Sequence, residues 1–374
     1  FFERSSSIPH MKIGILTFHH VLNYGALLQL FALQEKLKDL GHNPVVLNIS
    51  TFQRNKHPLI SGYGLRRGQF LKALKNKPLD FIKYSRFKNF RKKYLKITKP
   101  IKSLNDFQKS NHKVDAIIVG SDQVWNDKYG MASINLYTLK NLKSIDTINL
   151  SYAASSGKLL SDNSVLEAFS FSKFHAISVR DRFTQKLVSN CSGLESQIVV
   201  DPTLLINWSN FPIDAKRVNV PLKYIFVYGL SEEAINSALE VKKILDLPVV
   251  GIPMEGEYGN IHLDYCVLDA GIGEWLNLIR NAEFVCTKSF HGMMLSIQFK
   301  RPFLMALGSS FARERLNDFM DRFCLTERVF NKVSKYKLPS IIELSNKFYD
   351  KFDNKLSDAV RESEKFIIDS LSLK

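Results

Sequence analysis

The chain is a succession of short β-branched and apolar runs, each closed by a polar or glycine-bearing loop, and this pattern limits its fold more than any other feature. Lys12 to Phe18 reads as a buried strand, the loop HHVLNYG follows, and Ala26 to Leu40 carries apolar residues at helical spacing up to Gly41. A second strand, Pro44 to Ile49, comes at once. Strand, helix, strand argues for a parallel sheet with helices on its faces and ligands at the carboxyl ends of its strands. Further strands are predicted at Asp115 to Val119, Thr147 to Ala153, Ala176 to Val179 and Gln197 to Val200, each followed by a polar loop.

After a polar, proline-bearing stretch near residues 205 to 218, the pattern restarts. Tyr224 to Tyr228 and Pro248 to Ile252 read as strands around a helix from Ser231 to Leu245; Gly273 to Asn281 reads as a helix and Phe284 to Cys286 as a strand. A helix to Phe299, a strand at Pro302 to Ala306 and a charged helical tail from Ile341 complete the reading. The expected fold is α/β: two Rossmann-like domains facing a cleft, with a C-terminal helical tail. The expected division is 11–210, 211–340 and 341–374, with residues 1–10 read as a remnant ahead of Met11.

Composition supports this and removes other classes. With 374 residues and 45% hydrophobic content the chain can build a sizeable core. Its four cysteines form no CxxC and have no histidine at ligand spacing, which fits a reduced cytoplasmic setting better than secretion. The net charge of +16 is unevenly placed: between Arg54 and Lys99 stand 15 bases and one acid, so the rest of the chain is nearly balanced. A charge confined to one segment argues against nucleic acid as the partner. The segment 54–99 is expected to form a basic amphipathic helix or helical pair, either drawn to an anionic membrane or covering a buried aromatic stripe; both readings stay open here.

Several loops carry candidate chemistry. His291 in KSFHG lies between a short strand and a helix, where backbone N–H groups favour an anion and an imidazole can exchange protons; a merely structural histidine is the competing reading. Arg180 ends a strand and offers a fork for phosphate or carboxylate, or a salt bridge to Asp181 or another nearby acid. Arg313 and Arg315 open a later helix, functional or solvated. Asn23-Tyr24-Gly25 turns tightly without a GxGxxG or GxxxxGK[ST] pattern, and Gly120-Ser121-Asp122 is no nucleophile elbow. His19 and His20 are adjacent and lack HxxxH or HExxH spacing, so no metal is expected.

In order along the chain stand KIGILTFHHVLNYGALLQLFALQ, DAIIVGSDQVWN, SYAASSG, ISVRD, VVDPTLL and NAEFVCTKSFHGMMLSIQFKRPF. Together they resemble the polysaccharide pyruvyl transferase family from about Met11 to Met320. The resemblance implies a GT-B-like architecture and transfer of the enolpyruvyl unit of phosphoenolpyruvate to a sugar as a cyclic pyruvate ketal, with no cofactor. It implies His291 as general acid, and Arg180, Ser289, Gly292 and Arg315 with it on the donor. Asp122 is the better candidate for the base and Glu255 the weaker. Asn23, Tyr24, Asp122 and Gln123 are expected on the acceptor side. Ser289 stands where some members have arginine, and Lys288 replaces the aspartate of the related TDSFHG version. The expected partners are phosphoenolpyruvate, a sugar acceptor on a lipid diphosphate carrier and, through 54–99, an anionic membrane. The expected setting is cytoplasmic, peripheral to the inner membrane face. A GT-B glycosyltransferase using a nucleotide sugar is the alternative, and a non-enzymatic nucleic-acid or membrane adaptor a second.

Overall fold

The computed structural model describes residues 9–49, 70–101, 103, 106, 114–140, 142, 147–160, 166–254, 257, 263–307, 310–330, 338, 340 and 345–373. Residues 54–69 of the basic segment and Glu255 lie outside them. Two sheets carry the fold. The first has the order β2-β1-β3-β4-β5-β6, formed by β1 (Lys12–Leu16), β2 (Asn43–Val46), β3 (Ala116–Val119), β4 (Ile148–Ala154), β5 (Ala176–Val179) and β6 (Gln197–Ile198). The second has the order β11-β10-β7-β8-β9, formed by β7 (Ile225–Tyr228), β8 (Val249–Ile252), β9 (Tyr265–Cys266), β10 (Phe284–Thr287) and β11 (Phe303–Met305).

Every pairing in both sheets is parallel. Parallel sheets are covered on both faces, which is why Ala116–Val119 and Phe284–Thr287 are apolar at nearly every position and fully buried. The expected strands are present. The α/β architecture with two Rossmann-like sheets is therefore the fold of this chain.

The helices of the first half are α1 (Tyr24–Asp39), α2 (Phe70–Tyr94), α3 (Met131–Tyr137) and α4 (Arg182–Ser192). The polar loop expected after Val179 is instead α4. Asp181 accepts the Thr184 N–H at its start and Gly193 closes it at φ 67°. Both signals stand in the sequence, beneath a composition polar enough to read as loop.

The second half carries α5 (Glu232–Leu245), α6 (Ile272–Arg280), α7 (Phe290–Gln298), α8 (Ser310–Arg322) and α9 (Ser345–Leu371). α9, expected as a tail, bridges the two halves. Its Tyr349 hydroxyl donates to the Arg301 carbonyl (2.6 Å) in the second half. Its Ser363 hydroxyl accepts the Val200 N–H (3.0 Å), and Glu364 pairs with Lys36, in the first.

α2 shows where the aromatic residues of its charge pattern lie. Phe87 and Phe90 are buried in the apolar cluster that joins both halves, so the aromatic stripe belongs to the core. Arg86 pairs with Asp269 (3.1 Å), Lys93 with Asp214, and Arg91 is buried with its Nη1 donating to the His20 carbonyl (3.4 Å). Arg86 and Arg91 thus fix the helix against the protein, while the Lys93 pair lies on the surface. Phe87→Ala is expected to cost about 3–5 kcal/mol, read by denaturant unfolding; a change under 1 kcal/mol would contradict this packing.

Candidate active site

The carboxyl ends of β3, β5 and β6 lie along one edge of the first sheet, and α7 of the second half meets them there. Asp201, just beyond β6, is fully buried and divides its two oxygens between two tasks. Oδ1 accepts the Thr203 N–H (3.0 Å) and hydroxyl (2.7 Å), which fixes the turn through Pro202. Oδ2 lies 3.0 Å from Arg180 Nη1, 3.4 Å from His291 Nε2 and 3.4 Å from the Ser121 hydroxyl. Burial by itself would raise the Asp201 carboxyl, but His291, Arg180 and Thr203 together outweigh it and hold it well below the usual carboxylate range.

Arg180 is buried at the end of β5, its guanidinium 4.7 Å above the Phe290 ring. One arm goes to Asp201. Its Nη2 is 3.6 Å from Asp122 Oδ1, and neither Nη2 nor Nε has a hydrogen-bond partner among the described residues. The salt-bridge reading of Arg180 thus holds in part, with Asp201 in place of Asp181. Asp181 instead caps α4 and accepts the Ser155 hydroxyl (2.6 Å). Asp122 takes a left-handed backbone (φ 75°), tied down by the Ser155 N–H on its carbonyl (3.0 Å). Such a conformation in a residue with a side chain is costly and recurs at functional sites.

His291 sits in the first turn of α7, whose N-cap is Ser289. Its Nε2 is buried without a hydrogen-bond partner among the described residues, a poor state for a purely structural ring. On the other side of the ring is Gly25 of α1. A Cβ on Gly25 would fall 2.1 Å from His291 Nδ1, so glycine is required there by close approach of the two halves. Gly25→Ala should displace the imidazole, lowering kcat by about 100-fold, and lower Tm as well, since overpacking a buried contact costs about 1–3 kcal/mol. Wild-type turnover in this variant would dissociate Gly25 from the site.

The structure brings together Arg180, His291 and Asp122, as the sequence reading expected, and adds Asp201, Ser121, Phe290 and Gly25. Other expected residues have partners of their own. The Tyr24 hydroxyl donates to the Ala270 carbonyl (2.8 Å) and its ring stacks on Trp275 (5.1 Å), so Tyr24 is a buried joint between the halves and not an acceptor contact. Asn23 accepts the Ala26 N–H (3.1 Å) as N-cap of α1, a structural use of its side-chain oxygen. Ser289 accepts the Gly292 N–H (3.2 Å), so these two expected donor contacts satisfy one another. Gln123 remains half-buried beside Asp122, its Oε1 taken by Asn126 (2.8 Å). Arg313 and Arg315 are in the first turns of α8, but their side chains lie outside the description. His19 and His20 both meet Asn48 Oδ1, at 3.3 and 2.9 Å; burial, then the neighbouring His20, pushes His19 down to about 4.

The model of the polysaccharide pyruvyl transferase family matches residues 23–310, which contain every residue of this cluster. The chain belongs to the polysaccharide pyruvyl transferase family. No curated protein matches it. Among solved structures it is similar to an α-glucosyltransferase in complex with UDP and a 13-mer DNA, at TM-score 0.52 and 12% identity over 97% of this chain and 100% of that one. It is also similar to a protein assigned as a UDP-N-acetylglucosamine 2-epimerase from Listeria monocytogenes, at TM-score 0.50 and 11% identity over 92% and 90%. At such identities the likeness concerns the fold alone, the GT-B arrangement of two Rossmann-like halves.

Proposed function

We propose that this chain transfers the enolpyruvyl group of phosphoenolpyruvate to a sugar, closing a cyclic pyruvate ketal and releasing phosphate. The observation that carries the reading is the buried Arg180–Asp201–His291 assembly, formed by residues from both halves and lying within the matched family region. His291 Nε2, 3.4 Å from Asp201 Oδ2 and free of any hydrogen bond of good geometry among the described residues, gives its proton to the methylene carbon of the donor. The electron-poor C2 then accepts the oxygen of one sugar hydroxyl. A second hydroxyl of the same sugar attacks C2 as the C2–O bond to phosphate breaks, and the phosphate leaves with the bond's electrons. Of the two hydroxyl protons released, one restores His291 and the other leaves with phosphate.

Arg180 holds an oxygen of the donor through Nε and Nη2, its plane set by Phe290. Because Asp201 and Asp122 already answer most of its charge, a doubly negative donor needs further cations, and Arg315 remains the proposed second clamp. Asp122, with Gln123 beside it, is the proposed base toward the acceptor. Thermal shift decides between donors: stabilisation by phosphoenolpyruvate and none by nucleoside diphosphates is expected, and the reverse would favour a nucleotide-sugar transferase. Product mass with a panel of carrier-bound glycans then names the acceptor.

A lipid diphosphate carrier would bring the reaction to a membrane surface. No described helix is long and apolar enough to cross one. The outward face of α2 instead presents Phe81 and Ile82, at 54% and 39% exposure, with Lys88 and Lys92 exposed further along. This is the proposed peripheral contact. At roughly 1 kcal/mol per base, replacing both lysines by glutamine should weaken binding to anionic liposomes about thirtyfold. Equal flotation of the variant and the wild type would remove α2 from membrane contact.

A further inference from the structure

The second sheet has its own ligand crevice. β7 leads to β8 on one side while β10 leads to β11 on the other, so the gap between the carboxyl ends of β7 and β10 is a topological switch point. Gly229 and Leu230 flank it on one side, Lys288 and Ser289 on the other. Gly229 is left-handed (φ 82°), and a Cβ there would fall 2.9 Å from Lys288 Cγ, so the lysine stem lies across the crevice. One carboxylate fills it. Glu257 Oε2 accepts the N–H groups of Leu230 (2.6 Å) and Met254 (2.9 Å), and Oε1 pairs with Lys288 Nζ. Two backbone amides and an ammonium converging on one oxyanion are the donors of a phosphate site. The pair is reachable from solvent, with side-chain exposures of 31% for Lys288 and 16% for Glu257.

We propose that the Leu230 and Met254 amides with Lys288 form a phosphate subsite, held by Glu257 as an intramolecular stand-in until a substrate phosphate displaces it. A phosphate carries more charge than a carboxylate and has oxygens for all three donors, while the released Glu257 side chain regains water. Lys288 stands three residues before His291 on the same strand-to-helix connection, which puts the subsite next to the proton donor along the chain. The inference deepens the pyruvyl-transfer reading and rests on it only for the molecule that bears the phosphate.

The test is calorimetric titration of the full chain with inorganic phosphate, with pyruvate as the carboxylate control. Neutralising the internal competitor in Glu257→Gln should tighten phosphate binding on the order of tenfold, because an uncharged amide oxygen competes for the amides and the ammonium less strongly than a carboxylate. Adding Lys288→Met should abolish that gain. Unchanged or weaker phosphate binding in a Glu257→Gln protein of wild-type Tm, or a gain that survives Lys288→Met, overturns the proposal. A gain for pyruvate without one for phosphate also overturns it. Should Glu257→Gln not fold, Glu257→Asp, which draws the carboxylate back by one methylene, is read by the same criteria. Failure of the pyruvyl reading shows separately, as phosphate tightening with no turnover of phosphoenolpyruvate.

Discussion

His291→Ala is expected to lower kcat by about 10³-fold, within the range for loss of a positioned general acid, while the chain keeps its fold and its binding of phosphoenolpyruvate. The argument is geometric. The ring of His291, from the second half, is wedged between Gly25 and Asp201 of the first, with Nε2 buried, 3.4 Å from Asp201 Oδ2 and without a hydrogen bond of good geometry among the described residues. A histidine that merely filled space would leave a cavity and lower Tm with little effect on turnover per folded molecule. Exogenous imidazole distinguishes the two, because it can enter the vacated space and restore part of the rate. Full activity of His291→Ala at saturating donor would take the imidazole out of the chemistry.

Asp201→Asn carries the second large expected effect, on stability and rate together. Its carboxylate is the buried counter-charge of Arg180, and removing one partner of such a pair leaves the other uncompensated, at about 3 kcal/mol. The pH dependence has a definite sign. Because the folded-state carboxyl is held below its ordinary value, the unfolded chain binds the proton more readily, and stability rises with pH between the two values. The contribution is complete above the unfolded value of about 3.9 and is lost as pH falls toward the depressed folded value. The gap between wild type and Asp201→Asn should therefore be constant near neutrality and narrow only in acid. Turnover should fall as well, with an altered acidic limb in the pH–rate profile, since Asp201 positions the imidazole without touching substrate. A gap that widens on acidification would contradict the ionised pair.

The strands were legible because parallel strands buried on both faces must be apolar at successive positions, and Ala116–Val119 or Ile225–Tyr228 cannot be mistaken for amphipathic helix. α4 was not, because its buried face is short, Thr184, Leu187 and Val188 between the Asp181 cap and Gly193, and polar residues fill the rest of the segment. Among site residues, Arg180 and His291 announced themselves as charged or titratable groups at strand ends. Asp201 stood in plain view in VVDPTLL but fell in the polar loop expected after a strand, since nothing local reveals that one of its oxygens faces across to another half of the chain. Tyr24 and Asn23 show the complementary case. Their loop lies at the right sheet edge, yet one ring stacks inward on Trp275 and the other side chain caps its own helix. Gly25 looked like turn chemistry, and only the position of His291 explains it.

The most direct test is the structure of the chain crystallised with phosphoenolpyruvate. The donor is expected with one anionic group on the free nitrogens of Arg180 and its methylene carbon within reach of His291 Nε2. Density for the molecule away from both residues, with the Arg180–Asp201–His291 assembly unvisited, would contradict the account.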